Sequence, residues 1–156
     1  MIIHILYLAF SGLGAPWWRD DIYASISGMS RTTGREEIVK AGCECIAYQI
    51  NDVIDAMRKD SEIDISQMCV DGGPTRNKYL MQFQSDISQT EIKIPDAEEL
   101  SVIGAGYLAG ESAGYYEPDD IYKAITYNFF ETEMPEQERN EKVQGWNEAV
   151  EMLLKK

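Results

Sequence analysis

The sequence is poor in basic residues, which limits the partners it can bind. Its 156 residues include 14 Lys and Arg against 27 Asp and Glu, a formal net charge of −13. Nucleic acids and anionic membrane surfaces both favour proteins rich in Lys and Arg. We therefore expect no nucleic acid and no membrane as a partner. A phosphate ligand would have to be held by backbone amides, helix ends and Mg²⁺.

Histidine and cysteine are scarce as well. One histidine and three cysteines cannot complete a standard structural zinc site without carboxylates. Cys43 and Cys45 lie two apart on a predicted helix, so their side chains diverge. We expect all three thiols to be ordinary core residues in a reducing compartment. His4 lies in an apolar segment with no triad around it, so no catalytic role is expected for it.

No hydrophobic run is long enough to cross a bilayer. The segment from Met1 to Leu13 is apolar, but it lacks the basic start of a signal peptide and is too short to span. Within it, Ile2 to Phe10 predicts a strand covered on both faces. The chain fits a single domain by length, and we expect a cytoplasmic protein.

The segment from Met68 to Asn77 is the most informative part of the chain. Its apolar start, Met68 to Val70, predicts a buried strand that ends at Asp71-Gly72-Gly73. Asn77 can cap a following helix whose apolar positions are Leu80, Phe83 and Ile87. A strand, a glycine turn and a helix start present free amide groups to an anion. The same pattern also occurs as an ordinary strand-to-helix connection, because a pair of glycines is a weak motif.

The other predicted elements alternate between strands and helices. A strand is predicted at Ile22–Met29, a capping box at Thr33–Glu36 opens a helix that runs to about Lys59, and a strand follows at Thr90–Ile94. Pro135 opens a last helix with Val143, Trp146, Val150 and Leu153 along one side. The long helix carries an apolar face that predicts a core position, made of Ile38, Cys45, Ile46, Ile50, Val53, Ile54 and Met57. Such alternation predicts an α/β fold.

Two glycine-rich segments have alternative interpretations. Ser11 to Pro16 could cradle a phosphate, but it matches no phosphate-binding motif, so a structural loop anchored by a tryptophan is favoured. From Glu99 to Gly114 the sequence predicts a helix with Gly106, Gly110 and Gly114 on one face. That face could press onto the sheet or leave room for a flat ligand ring, and the sequence leaves both open.

Four segments together resemble the FGGY carbohydrate kinases, and within that family the glycerol-phosphorylating branch. They are Phe10-Ser-Gly-Leu-Gly-Ala-Pro16 with Trp18, Glu44-Cys-Ile-Ala-Tyr-Gln49 with Asp52, Val70-Asp-Gly-Gly73 with Asn77 and Leu80 to Ile87, and Gly104-Ala105 with Tyr107-Leu-Ala-Gly110. The resemblance covers nearly the whole chain. The chain departs from the family pattern at Arg19-Asp20, at Ile22 to Ala24 and at Lys78.

The resemblance implies a fold, a cofactor and a site. The implied fold is part of an actin-like, ribonuclease H-like ATPase lobe, with a mixed sheet and flanking helices. Residues 1–156 would form a single incomplete domain, the C-terminal portion of the second, nucleotide-binding lobe. ATP with Mg²⁺ is the implied cofactor. Gly72, Gly73, Asn77 and Gly104 would line the adenine-nucleotide site.

The family's phosphate hairpins and catalytic base do not occur in this chain. Asp-x-Gly-Thr, Gly-Asp-Gln-Gln and Gly-Thr-Gly are all missing from the sequence. Phosphoryl transfer needs phosphate clamps, metal and a base, so no catalytic or metal-binding residue is assigned. We expect a fragment of an ATP-dependent polyol kinase that needs its N-terminal lobe. The alternative is a non-catalytic module that self-associates through an open sheet edge in the N-terminal segment, from Ile2 to Phe10.

Overall fold

A computed structural model of the chain describes residues 5–96, 100–115, 117 and 125–155. The predictions for His4 and for Ile2 and Ile3 fall outside these residues. Two small sheets and four α-helices make up the described part. Within the described ranges no helix combines the length and apolarity that a bilayer crossing requires.

The first sheet is a short antiparallel pair near the start of the chain. Strand β1 (Ile5–Tyr7) pairs with β2 (Ser25–Ser27), with Leu6 opposite Ile26. In the described part of the strand predicted from Ile2 to Phe10, three residues are thus in a strand. Ile5 and Tyr7 are buried in the core, and the other side of β1 has no partner strand among the described residues, so the expected association through this edge stays a prediction.

The second sheet has the order β3-β4-β5. Strand β3 (Gln67–Cys69) runs parallel to β4 (Glu91–Pro95), and β5 (Tyr127–Phe130) pairs antiparallel with the other side of β4. The predicted strand at Met68–Val70 is therefore present. The prediction that it is buried is wrong, because β3 lies at the sheet edge and the Cys69 thiol is exposed.

Helix α1 (Arg35–Ser61) begins one residue later than predicted. Gly34 stands at the cap, and its amide donates to the Glu37 carboxylate over 2.8 Å. Because glycine has no side chain, only one of the two hydrogen bonds of a capping box is present, the one from the cap amide to the glutamate. The Thr33 hydroxyl instead accepts from the Ser30 amide at 2.8 Å.

Only part of the predicted apolar face of α1 is in the core. Cys45 and Ile54 are buried, as predicted, whereas Ile46, Ile50 and Met57 are exposed. The residues that α1 does bury include small and polar ones that lie between the apolar positions: Ala41, Glu44, Ala47, Tyr48 and Asn51. The periodicity located the helix but did not identify which of its faces is covered.

A stack of aromatic rings forms the centre of the core. Trp146, on helix α4 (Glu136–Leu154), lies between Tyr7 and Tyr48, with ring centroids 4.6 and 4.9 Å apart. The Tyr7 hydroxyl donates to the Trp146 carbonyl at 2.8 Å. Trp146 was predicted on the apolar side of this helix, and its burial confirms that prediction. The stack holds the start of the chain, α1 and α4 together.

The Asp52 carboxylate joins the same three parts of the chain. It accepts hydrogen bonds from the indole of Trp146 at 2.9 Å and from the indole of Trp17 at 3.2 Å. Burial raises the pKa of Asp52 to about 6, against the lowering effect of the two indole donors, and the charge of Asp55 raises it further. The contact of Trp17 confirms that a tryptophan anchors the loop before it.

Candidate functional site

The predicted glycine turn directly follows β3 and begins a short helix. Gly72 has a φ of +96°, a backbone conformation that favours glycine. A 3₁₀ turn (Gly73–Arg76) comes next, with Pro74 near its start, and the Thr75 hydroxyl donates to the Gly72 carbonyl at 2.7 Å. A Cβ added at Gly73 would meet no heavy atom within 4 Å. The backbone at Gly73 is therefore open to a ligand.

Asn77 caps helix α2 (Lys78–Ser88), as predicted. Its Oδ1 accepts from the Leu80 amide at 3.2 Å. The predicted apolar positions of this helix, Leu80, Phe83 and Ile87, are buried. One of the four free amides at the helix start is thus satisfied by the chain itself. Packing of that apolar face fixes where the start of α2 points.

A groove lies beside Asn77, between the start of α2 and the first half of α1. Its volume is about 670 Å³, and its lining residues are Arg35, Glu36, Val39, Lys40, Cys43, Asn77 and Tyr79. The Tyr79 hydroxyl donates to the buried Glu44 carboxylate at 2.6 Å. Burial and that neighbouring carboxylate both raise the pKa of Tyr79, so its hydroxyl remains a donor at neutral pH. The groove is lined by apolar and polar side chains together with the charged Arg35, Glu36 and Lys40.

Gly104 lies on helix α3 (Leu100–Ser112) and borders a different cavity. The cavity has a volume of about 480 Å³ and lies between α3 and the sheet, where Cys69, Pro95, Ile103, Gly104, Tyr107 and Tyr127 are among its lining residues. A Cβ at Gly104 or at Gly106 would meet nothing within 4 Å. The glycines therefore do not press onto the sheet. Gly114 follows the end of the helix with a φ of +76°, so the expected stripe on one face stops before it.

The four predicted site residues are thus divided between two concave surfaces. Asn77 lines the groove against α1, and Gly104 lines the cavity under α3. Gly72 and Gly73 form the turn at the end of β3. The Asp71 carboxylate connects this turn to α3, because it accepts from the Leu100 amide at 3.3 Å. The roles assigned to all four residues remain predictions.

Sequence reasoning missed several residues around this turn. Thr75 could have been found, because a hydroxyl residue three positions after a turn carbonyl commonly bonds back to it. Asp71 could not have been assigned to α3, since the contact joins residues 29 apart. The groove residues Lys40 and Tyr79 come from two helices whose packing has no signal in sequence spacing.

The described residues do not by themselves form a metal site. No group of three or more His, Cys, Asp or Glu side chains in those ranges is arranged to hold a metal ion. The three cysteines differ in environment: Cys45 is buried, Cys43 is half-buried and Cys69 is exposed, and all are free thiols. The expectation that all three are core residues therefore holds for Cys45 alone.

Comparison with known proteins places this geometry in a family. Residues 4–113 match the model of the FGGY family of carbohydrate kinases, C-terminal domain. The chain is 46% identical over 149 residues to a glycerol kinase of Natranaerobius thermophilus, and 41% identical over 149 residues to that of Bacillus subtilis. Each match covers 94% of this chain but only 30% of the relative. The chain thus spans about a third of the length of these enzymes.

Solved structures give the same result for the fold. A crystal structure of Plasmodium falciparum glycerol kinase with ADP superposes with a TM-score of 0.88 at 39% identity, over 98% of this chain and 31% of that one. A xylulose kinase from Rhodospirillum rubrum superposes with a TM-score of 0.75 at 18% identity, over 97% of this chain and 31% of that one. The fold is the actin-like ATPase fold, a mixed sheet with flanking helices, as predicted. The chain belongs to the FGGY family of carbohydrate kinases, whose C-terminal domain it matches.

Proposed function

We propose that this chain supplies the C-terminal portion of the nucleotide-binding lobe of a glycerol kinase-like enzyme. The reaction would be transfer of the γ-phosphoryl group of ATP to a polyol hydroxyl. Residues 1–156 would form one incomplete domain, which acts in the cytoplasm together with an N-terminal lobe. In the proposed complex, this domain binds the adenine nucleotide, and the rest of the enzyme holds the polyol.

The observation that carries this proposal is the open backbone at Gly73. The turn presents Gly73 to solvent with no neighbour within 4 Å of a Cβ position, immediately before the capped start of α2. A nucleotide can approach such a backbone closely, because no side chain stands in the way. The similarity to a glycerol kinase determined with ADP supports the choice of ligand.

The charge of the chain agrees with binding through backbone and metal. A net charge of −13 repels a nucleotide unless a cation accompanies it. Mg²⁺ bound with the nucleotide would supply that cation, and it would need few protein ligands because it keeps several waters. We therefore expect MgADP and MgATP, rather than free nucleotides, to be the species that bind.

Calorimetry with MgADP tests the proposed site. The wild-type chain should bind weakly, and Gly73→Val should lower the affinity at least tenfold, because the valine side chain fills the approach to the backbone. The matched control is Gly14→Val in the glycine-rich loop, where a Cβ also meets nothing within 4 Å. Thermal melts of each variant separate loss of binding from loss of folding.

The two variants also decide between the two glycine segments. If Gly14→Val abolishes binding and Gly73→Val leaves it unchanged, the nucleotide binds at the loop from Ser11 to Pro16. If neither variant changes a measurable affinity, the nucleotide binds elsewhere. Either result contradicts the proposed role of Gly73.

A second candidate function is self-association without catalysis. It is favoured by β3, whose outer side has no partner strand among the described residues, because open strand edges readily pair with other strands. A sedimentation measurement at micromolar concentration tests it. A dimer that forms without nucleotide would support this second function, and a monomer would contradict it.

A further inference from the structure

Two connections leave the second sheet at the same edge. Because β3 runs parallel to β4, the carboxyl ends of the two strands lie side by side. The glycine turn follows β3, and helix α3 follows β4. In open α/β sheets, ligands bind in the crevice outside the carboxyl ends of the strands. The turn that contains Gly73 therefore shares its edge of the sheet with the start of α3.

Asp71 joins these two connections. It lies two residues after the end of β3 and directly before Gly72, and its Oδ2 accepts from the Leu100 amide at 3.3 Å. Leu100 is the first residue of α3, so its amide has no acceptor within the helix. The positive end of the helix dipole also favours a carboxylate at this place. Asp71 thus caps α3 from 29 positions away in the sequence.

The weak packing of α3 gives this hydrogen bond its importance. None of the residues of α3 is buried, and a cavity of about 480 Å³ lies between the helix and the sheet. A helix that buries little apolar surface gains little stability from packing. The position of its first turn therefore depends on polar contacts such as the one with Asp71.

The other side of the glycine turn is held by local hydrogen bonds. The Thr75 hydroxyl donates to the Gly72 carbonyl at 2.7 Å, and Asn77 Oδ1 accepts from the Leu80 amide at 3.2 Å. These bonds fix the turn relative to α2. The bond from Asp71 fixes it relative to α3. The backbone at Gly73 is thus held from both sides.

We propose that Asp71 is a positioning residue for the nucleotide. Its bond to α3 holds the Gly72-Gly73 backbone in the conformation that MgADP and MgATP approach. The residue acts through the turn and the helix, and not as a ligand of the nucleotide or of the metal. This inference rests on the proposed function, and it gives α3 an indirect part in nucleotide binding.

Electrostatic repulsion alone predicts the opposite effect of Asp71. The chain has a net charge of −13, and a further carboxylate beside a nucleotide repels its phosphates. If repulsion were the main effect, removal of the Asp71 carboxylate would strengthen binding. Positioning predicts that removal weakens binding. The two explanations therefore differ in the sign of the change in affinity.

Calorimetry with MgADP measures that sign. Asp71→Ala should lower the affinity about fivefold or more, because the cap of α3 is lost. Asp71→Asn should stay within about twofold of the wild type, because its amide oxygen can still accept from Leu100. Thermal melts of each variant separate loss of binding from loss of folding.

Asp96→Ala is the matched control for the loss of a carboxylate at this edge. Asp96 directly follows β4 and is exposed, as Asp71 is after β3. Its Oδ2 accepts from the Thr126 hydroxyl at 3.4 Å and not from the Leu100 amide. The affinity of Asp96→Ala for MgADP should therefore change less than about twofold.

Leu100→Pro removes the same hydrogen bond from the donor side and covers the case in which Asp71→Ala does not fold. Proline is well tolerated at the first position of a helix. Leu100→Pro should lower the affinity about as much as Asp71→Ala, and the double variant should lower it no further. Additive losses would show that the two residues act independently, and they would overturn the inference.

Hydrogen exchange followed by mass spectrometry measures the positioning itself. In the wild type, saturating MgADP should slow exchange about threefold or more both around Gly73 and at residues 100–104. In Asp71→Ala, saturating MgADP should still slow exchange around Gly73, but the effect at residues 100–104 should disappear.

Two results would overturn the inference and leave the proposed function intact. One is a folded Asp71→Ala variant that binds MgADP as tightly as the wild type, or more tightly. The other is slowed exchange at residues 100–104 that persists in Asp71→Ala. A wild-type chain that binds no MgADP would instead contradict the proposed function, and the inference would fall with it.

Discussion

Trp146 and helix α3 differ in burial, and in the opposite direction from the one that their sequences suggest. Trp146 lies on a strongly charged helix, yet it is 1% exposed and contacts two tyrosine rings and the Asp52 carboxylate. Helix α3 consists mainly of Leu, Val, Ile, Ala, Gly and Tyr, yet none of its residues is buried. The more apolar segment is thus the less covered one.

This difference shows that two kinds of apolar segment are present in the chain. Around Trp146, its indole donates to Asp52 and its carbonyl accepts from the Tyr7 hydroxyl, while the buried Tyr48 hydroxyl has no hydrogen-bond partner among the described residues. Helix α3 borders a cavity of about 480 Å³, and Val102 and Leu108 are exposed on it. The described residues leave the apolar side chains of α3 uncovered. Stability and ligand binding should therefore depend on different halves of the molecule.

The largest expected effect is at the aromatic stack. Trp146→Ala removes a fully buried ring and leaves Asp52 without its closest donor. Such truncations cost about 3–5 kcal/mol. Trp18→Ala is the control, because Trp18 is 77% exposed and its loss should change stability by about 0.5 kcal/mol or less. Urea unfolding followed by circular dichroism measures both, and equal effects would show that the stack is not the centre of the core.

A smaller effect is expected from the pH dependence of Asp52. The pKa of Asp52 is about 6 in the folded chain, against an ordinary value of 3.8. The folded state therefore binds the proton more tightly than the unfolded state does. Stability from this group is present at low pH and is lost as the pH rises through about 6. Between about pH 5.5 and 7.5 the loss should be about 1 kcal/mol.

Asp52→Asn provides the control for that pH dependence. The amide carbonyl still accepts from an indole and does not titrate, so the difference in melting temperature between the two pH values should shrink. The other carboxylates are unchanged in this variant, which makes the comparison specific. An unchanged difference would mean that Asp52 does not carry the effect.

The smallest effect is expected on α3. Leu108→Ala should change the free energy of unfolding by about 0.5 kcal/mol or less, because Leu108 is 66% exposed. The same substitution at Leu80, which is 4% exposed on α2, should cost about 2–5 kcal/mol. Similar losses at the two positions would show that α3 is packed as firmly as α2.

Local patterns predicted the elements better than their environment. The cap at Asn77, the buried face of α2 and the packed side of the last helix could be predicted because each depends on residues within a few turns. The edge position of β3 could not be predicted, and neither could the set of α1 side chains that is buried. Both depend on which distant segments lie beside the strand and the helix. The same limit applies to the site. Residue spacing predicted the glycine turn, but it could not predict that Asn77 and Gly104 line different concave surfaces.

The apolar run at the start of the chain also shows that local sequence does not predict long-range contacts. A continuous apolar stretch predicted a strand with a free edge, and the structure contains the strand. Its alternate side chains Ile5, Tyr7 and Ala9 are buried, and Tyr7 stacks on the ring of a residue 139 positions away. No local signal could have identified that contact.

The most direct test of the account is turnover by the fusion of this chain with the N-terminal part of the Natranaerobius thermophilus glycerol kinase. The chain alone should show no ATP consumption that depends on glycerol, because it lacks the base and the phosphate hairpins. The fusion should phosphorylate glycerol with MgATP, Gly73→Val should raise the KM for ATP at least tenfold, and Gly14→Val should not. A folded fusion that binds glycerol but shows no turnover, or turnover that Gly73→Val leaves unchanged, would contradict the assignment of this chain to the nucleotide site.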